Sequence, residues 1–240
     1  MPIYQVKLKR KEEVAEGTMA FYFEKPAGFQ FKPGQFADLT LPNPPETDAE
    51  GNIRTFSIAS APAEEDLMFA TRMRDTAFKR VLKSMPLGTE ITMEGPSGSF
   101  TLHGDSSRSA VLLAGGIGIT PFRSMALNLG TSRDAHRLLL LYSNRRPEDA
   151  AFLDELESVA AKNKNLRFIG TMTQMEKSKL KWTGRTGLID KKMLSECVRD
   201  LKDPICYVAG PPAMVSTIGR ALMDAGVSKD SIRSDEFSGY

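Results

Sequence analysis

Ala110-Val-Leu-Leu-Ala-Gly115-Gly116-Ile117-Gly118-Ile119-Thr120-Pro121 is the stretch that decides the fold. An apolar run suited to a buried strand passes directly into a glycine turn. A Thr-Pro pair follows, with Thr120 placed to cap a helix and Pro121 at its first position. A helix start presents free N–H groups to an anion, and glycines let the backbone close on it. The segment therefore reads as a pyrophosphate cradle; taken alone, a plain tight strand-to-helix turn is the other reading. It is not G-x-G-x-x-G, because Thr120-Pro121 stands where a third glycine would fall.

Downstream of this stretch, strand-like and helical segments alternate. Val111–Ala114, Leu138–Tyr142, Leu166–Gly170, Ile205–Ala209 and Ser231–Arg233 have the strand pattern. Phe122–Leu129, Pro147–Ala161, Lys191–Leu201 and Ala213–Ala225 have helical spacing. That alternation predicts βα units on a parallel sheet. A second strand-to-helix mouth, Ala209-Gly210-Pro211-Pro212-Ala-Met214, falls at the same carboxyl end, where open α/β sheets bind ligands.

Upstream the period changes. Tyr4–Leu8, Met19–Phe23, Gln35–Leu41, Thr55–Ala59, Leu67–Met73 and Glu90–Met93 are short strands between turn residues, which predicts an antiparallel barrel or sandwich. Thr76–Met85 is its one expected helix, and Pro42–Asn52 a polar loop. The boundary falls near Gly104–Ser107, giving an all-β domain over 1–104 and an α/β domain over 105–240.

Composition removes other classes. Two cysteines (Cys197, Cys206) and two histidines (His103, His136) are too few for an iron–sulfur cluster, a structural zinc site or a disulfide scaffold. Both cysteines read as small buried hydrophobes. No metal site is expected. Residues 1–104 carry a net charge of −2 and residues 105–240 one of +4, too weak a contrast for nucleic acid but compatible with a small polyanion. No apolar run nears the roughly 18 residues of a membrane span, and Met1–Arg10 does not read as a signal peptide, so a cytoplasmic protein is expected.

Three further segments suit ligands. Arg54-Thr55-Phe56-Ser57 offers a cation, a flat ring and a hydroxyl, with Arg54 and Phe56 on one strand face. Gly95-Pro96-Ser97-Gly98-Ser99-Phe100 is a turn or a backbone surface against a ligand. Ser143-Asn144-Arg145-Arg146 ends the second parallel strand without the acid that grips a bare ribose, so an extra phosphate or a solvated edge are both open.

In order and spacing, Arg54–Ser57, Gly95–Gly98, Gly115–Pro121 and Gly210–Met214 together resemble the ferredoxin–NADP(+) reductase superfamily. The resemblance covers essentially the whole chain, including the Pro33-Gly-Gln-Phe36 turn. It implies a flavin-binding barrel joined to an NAD(P)-binding α/β domain, with hydride passing from nicotinamide to flavin N5 between them. By that resemblance, Arg54 reaches the FAD phosphate, Phe56 lies on the isoalloxazine ring, and Ser57 sits near N5. Thr55, Thr71, Arg72, Lys79, Gly95, Gly98 and Ser99 belong to the flavin segments. Gly115, Gly116, Gly118, Thr120, Pro121, Gly210, Pro211 and Met214 form the nucleotide cradle. Glu236, Phe237 and Tyr240 would place an acid and an aromatic lid beside the flavin. The chain departs from the family where Asp75-Thr-Ala-Phe-Lys79 replaces the usual glycine and serine or threonine, and where Ala209 replaces a common cysteine.

The expected function is thus FAD-dependent NAD(P)H oxidation with electrons leaving to a separate acceptor such as ferredoxin, flavodoxin or a small oxidant. The alternative is an NADH-dependent reductase component of a multi-protein oxygenase or dehydrogenase; a redox-silent nucleotide sensor is the remote one. Ser143, Arg145 and Arg185 (which resembles a family arginine that meets the same phosphate) predict NADP(H) over NAD(H). Oligomeric state is not legible.

Overall fold

The computed structural model describes residues 1–129, 136–198 and 203–237. In the N-terminal half, β1 (Ile3–Ala15), β2 (Thr18–Glu24), β3 (Phe36–Thr40), β4 (Ile53–Ser57), β5 (Asp66–Arg72) and β6 (Glu90–Ser97) form one sheet in the order β4-β3-β6-β1-β2-β5. Every pairing is antiparallel. The end strands β4 and β5 lie against each other, so the sheet curls into a barrel. Alternate residues point inward: Val6 and Leu8, Phe21 and Phe23, Leu67 and Phe69, Ile91 and Met93 fill the interior. Helix α1 (Ala77–Ser84) lays Ala77, Phe78, Val81 and Leu82 on the same core.

In the C-terminal half, β7 (Ala110–Gly115), β8 (Leu138–Asn144), β9 (Leu166–Met172), β10 (Arg185–Thr186), β11 (Ile205–Gly210) and β12 (Ile232–Glu236) run parallel in the order β10-β9-β8-β7-β11-β12. Helices α2 (Ile119–Asn128), α3 (Leu153–Lys162), α4 (Lys191–Cys197) and α5 (Pro212–Asp224) cover it. Strands β7 and β11 are buried at every position, which explains their unbroken apolar runs. Val111 and Leu113 pack with residues of α4 and α5, whereas Ala110, Leu112 and Ala114 pack with α2 and α3. The second cluster also holds Ala20, Ala59, Met68 and Ala70 of the barrel, so one apolar core runs through the junction of the two lobes.

Polar bolts reinforce that junction. Arg123 of α2, 3% exposed, donates to the Ala59 carbonyl at 2.9 Å and bridges Glu64 of the barrel to Glu155 of α3. Ser124 Oγ donates to the Ser60 carbonyl at 2.6 Å. On the other flank, Asp149 accepts from Arg146 at 2.9 Å and lies 3.4 Å from Arg72 of the barrel. Arg146 foremost, with Arg145 and Arg72 behind it, holds the Asp149 carboxyl below its ordinary value.

The expected helix Pro147–Ala161 divides into two pieces. A short 3-10 turn covers Pro147–Asp149, and α3 begins only after Phe152, whose φ is 60°. The break lets Ala150, Ala151 and Phe152 enter the inter-lobe core, a tertiary gain that helical spacing does not report. The tail of the expected helix Lys191–Leu201 lies outside the described residues. Among those described, no helix is long and apolar enough to cross a membrane.

Candidate cofactor and nucleotide site

The two strand-to-helix mouths on β7 and β11 touch each other. A Cβ on Gly118 would stand 2.3 Å from the Ala209 carbonyl oxygen, and one on Gly210 would lie 3.1–3.2 Å from the Gly115 backbone. These glycines let two adjacent main chains close together. Gly115 and Gly116 then line a cavity of about 480 Å³, together with Pro211 and Met214 of the second mouth. Gly118 is buried behind them, its place set by Ala209.

Thr120 and Pro121 do not face this cavity. Gly116–Gly118 continues the turn as a 3-10 helix, α2 starts at Ile119, and both residues are buried in its first turn. Thr120 Oγ1 donates back to the Ile117 carbonyl at 3.0 Å instead of capping the helix. They shape the turn from behind.

The cavity is built for an anion with a flat apolar portion. Its polar wall comprises Ser143, Asn144, Arg145 and Thr173 at the ends of β8 and β9, plus Arg72 and Arg74 from the barrel. Among the described residues, no carboxylate lines it. Arg72 is paired with Asp149, while no ion pair engages Arg74 or Arg145 among the described residues. Asn144 is 6% exposed and its Nδ2 is buried without a hydrogen-bond partner. A buried amide donor left unmatched costs about 1–3 kcal/mol, so a ligand acceptor there would recover it. The residues present therefore fit a pyridine nucleotide.

Arg185 lies apart from this wall. It sits on β10, and its Nη1 donates to Glu196 at 2.5 Å, an ion pair that occupies the guanidinium. Of the expected pair, Arg145 lines the cavity and Arg185 does not; Arg74 of the barrel lines it with Arg145.

On the barrel, Arg54 and Phe56 share a face of β4, and both meet Phe78 of α1. The Phe56 and Phe78 rings are 5.9 Å apart, and the Arg54 guanidinium lies 5.2 Å from the Phe78 centroid. Thr55 points the other way and donates to Asp38. Ser57 is 9% exposed beside Phe36, its register partner on β3. Gly98 is packed beneath the Phe36 ring, where a Cβ would come within 2.8 Å. Gly95 fits against Ala37, and Thr71 is buried in the sheet, so both are structural neighbours of the site. Ser99 opens onto a separate hollow with Phe100, Arg233 and Ser234.

Lys79 is half-buried, its Nζ donating to the Arg72 carbonyl at 2.8 Å. Burial first, then Arg74 and Arg54, push its pKa down to about 8. Arg54, Arg74 and Lys79 gather positive charge on one side of this face, offset at Arg54 by the carboxylates of Asp48 and Glu50, a setting suited to a diphosphate. With the flat Phe56 face beside it, the arrangement fits a phosphorylated flavin.

At the C-terminus, Glu236 is exposed and Asp235 is half-buried, with burial pushing the Asp235 carboxyl up. The acid turned inward is therefore Asp235; alternation along β12 puts Glu236 on the solvent side. Phe237 N donates to the Gly210 carbonyl at 3.0 Å, which places Phe237 beside the second mouth. Tyr240 lies outside the described residues.

An antiparallel barrel with a cationic, aromatic face is thus joined to a parallel sheet whose two strand-to-helix mouths line one cavity. Residues 112–220 match the oxidoreductase NAD-binding domain family. The chain is 27% identical over 223 residues to the glycine betaine monooxygenase reductase subunit of Chromohalobacter salexigens, covering 92% of this chain and 60% of that protein. With the propane 2-monooxygenase reductase component of Mycolicibacterium smegmatis it shares 29% over 221 residues, 89% of this chain and 61% of that one. The chain thus spans about 60% of the length of these relatives. Among solved structures, the ferredoxin NADP+ reductase of Neisseria gonorrhoeae with bound FAD and NADP superposes with a TM-score of 0.81 at 20% identity, covering 98% of each chain. The Amycolatopsis cytochrome P450 reductase GcoB gives 0.82 at 21%, covering 98% of this chain and 70% of that one. The fold is that of the ferredoxin–NADP(+) reductase-like flavin oxidoreductases.

Proposed function

We propose that this chain is the NAD(P)H-oxidising, flavin-bearing part of a reductase that passes electrons to an oxygenase-type partner. The observation that carries the reading is the cavity between the lobes: among the described residues it has two arginines without ion pairs, an unmatched buried amide and no carboxylate, beside a barrel face suited to flavin. A flavin, when bound, accepts two electrons as a hydride and releases them singly. The protein's part is to hold and align. Gly115 and Gly116 bring the backbone to the nucleotide, Arg74 and Arg145 meet its phosphates, and Asn144 supplies a donor. Phe56 supports the flavin ring, and Ser57 and Asp235 are the hydroxyl and protonatable carboxyl on either side of the lobe junction.

The 240 residues contain two cysteines, both buried, so they hold no thiolate set for a cluster, and electrons pass to another domain or protein. The relatives' names favour an oxygenase partner over ferredoxin or flavodoxin. The likeness to ferredoxin NADP+ reductase is one of fold alone.

Within this reading the nucleotide is NADPH, because Arg145 and Arg74 offer two cations and no acid competes at the ribose. Arg145→Ala should lose about 1.5–3 kcal/mol of NADPH binding, tenfold or more, and little NADH binding. The ratio of kcat/KM for the two nucleotides, in wild type and variant, is the measurement. Equal wild-type efficiencies, or a variant that weakens both alike, would leave Arg145 a solvated edge.

A further inference from the structure

Arg54, on which the flavin-phosphate assignment rests, is already engaged. Its Nη1 donates to the carbonyls of Glu50, Gly51 and Ile53 at 2.9, 3.0 and 2.8 Å. Its Nη2 donates to Asp48 Oδ1 at 2.9 Å, with a Glu50 carboxylate oxygen at 3.0 Å. The other Asp48 oxygen, Oδ2, accepts from the backbone N–H of Ala77, the first residue of α1, at 3.2 Å. One carboxylate thus joins a guanidinium and a helix start, two groups with which a flavin phosphate would make charge-assisted hydrogen bonds.

The remaining donors at that helix start are nearly spent. Thr76 Oγ1 accepts from Lys79 N at 3.4 Å, the usual cap for the third position. Residues 42–52 carry no regular secondary structure, and Arg80 of α1 ties them down by donating to Glu46 at 2.9 Å. Desolvation works against ionisation of Asp48, but Arg54 and the amides of Glu50 and Ala77 outweigh it and hold the carboxyl below its ordinary value. A full negative charge therefore occupies the spot at neutral pH.

We propose that Asp48 is an internal stand-in for the flavin phosphate: it holds Arg54 and the start of α1 in place until flavin arrives, and is displaced when the diphosphate enters. Two anions at one guanidinium repel each other, so the phosphate and Asp48 compete. The same carboxylate links β4 to the start of α1. Lys79, bearing no carboxylate partner among the described residues, remains for the rest of the diphosphate. The inference rests on the flavin reading above.

The test is FAD binding to flavin-stripped full-length protein, followed by fluorescence quenching, for wild type, Asp48→Asn and Asp48→Ala. Both variants should bind FAD at least about tenfold more tightly, the size of one charge-assisted contact. Their flavin-free melting temperatures should fall, and the rise on adding FAD should exceed that of wild type. Asp48→Asn keeps a hydrogen-bond acceptor, so it reports the charge even where the alanine variant loosens α1. Unchanged or weaker FAD binding in both variants overturns the stand-in while leaving the flavin reading intact. Failure of wild type and variants alike to take up FAD overturns the flavin reading, and the stand-in with it.

Discussion

Arg123→Ala is expected to lower the melting temperature by about 6–12 °C, from a loss of about 3 kcal/mol in a chain of this size. The guanidinium is 3% exposed and its donors are all directed. Nε and Nη2 donate to the two Glu155 oxygens at 2.7 and 2.6 Å, and Nη1 and Nη2 to Glu64 at 2.9 and 3.1 Å. The remaining bond goes to the Ala59 carbonyl, a backbone acceptor of the barrel, at 2.9 Å. Removing the cation leaves two carboxylates facing each other across the lobe junction and a buried carbonyl unmatched. Arg123→Lys should recover only part of the loss, because an ammonium cannot span two carboxylates as a planar guanidinium does. A calorimetric shift of less than about 2 °C for the alanine variant would mean that the apolar junction alone holds the lobes together.

Gly118→Ala should be costly for a different reason. Gly118 has an ordinary helical φ of −60°, so the backbone tolerates a side chain there. The obstacle is contact: the new Cβ would lie 2.3 Å from Ala209 O, 2.5 Å from Ala209 C and 2.7 Å from Gly210 Cα, all main-chain atoms of a central strand. Forcing atoms into such a space costs about 1–3 kcal/mol. It also pries apart the mouths that line the cavity, so nucleotide affinity should fall at least about tenfold. Gly115→Ala is the informative comparison. Its Cβ meets Met214 Sδ at 2.0 Å, the flexible end of a thioether that can swing away. Titration with nucleotide and thermal melts should rank Gly118→Ala well below Gly115→Ala. Equal behaviour would show that the two mouths are not locked through Gly118.

Hydrophobic period made most of this architecture legible. The switch from alternating short strands to apolar runs followed by helices separates the barrel from the parallel sheet, and Ala110–Ala114 reads as a central strand because it is covered on both faces. Local signals failed where tertiary contacts decide the outcome. Thr120 has the composition of a cap, but the 3-10 turn at Gly116–Gly118 moves the helix start ahead of it. Arg185 looks like a phosphate ligand in the sequence; in the fold it pairs with Glu196 of α4 and lies outside the cavity lining. The sequence points to Glu236 as the acid beside the flavin, whereas the phase of β12 turns Asp235 inward and Glu236 to solvent. Arg74 and Asp48 gave no motif signal. One reaches a cavity formed mostly by the other lobe, and the other acts from an irregular loop through two residues that are close only in the fold.

The most direct test of the central claim is anaerobic mixing of the FAD-loaded protein with NADPH and, separately, NADH, following the flavin absorbance band in a stopped-flow instrument. The band should bleach within a single turnover with both nucleotides, more efficiently with NADPH, and Arg145→Ala should erase the difference. A flavin that remains oxidised while nucleotide binds would contradict it, because the cavity between the lobes would then hold nucleotide without passing electrons to the barrel.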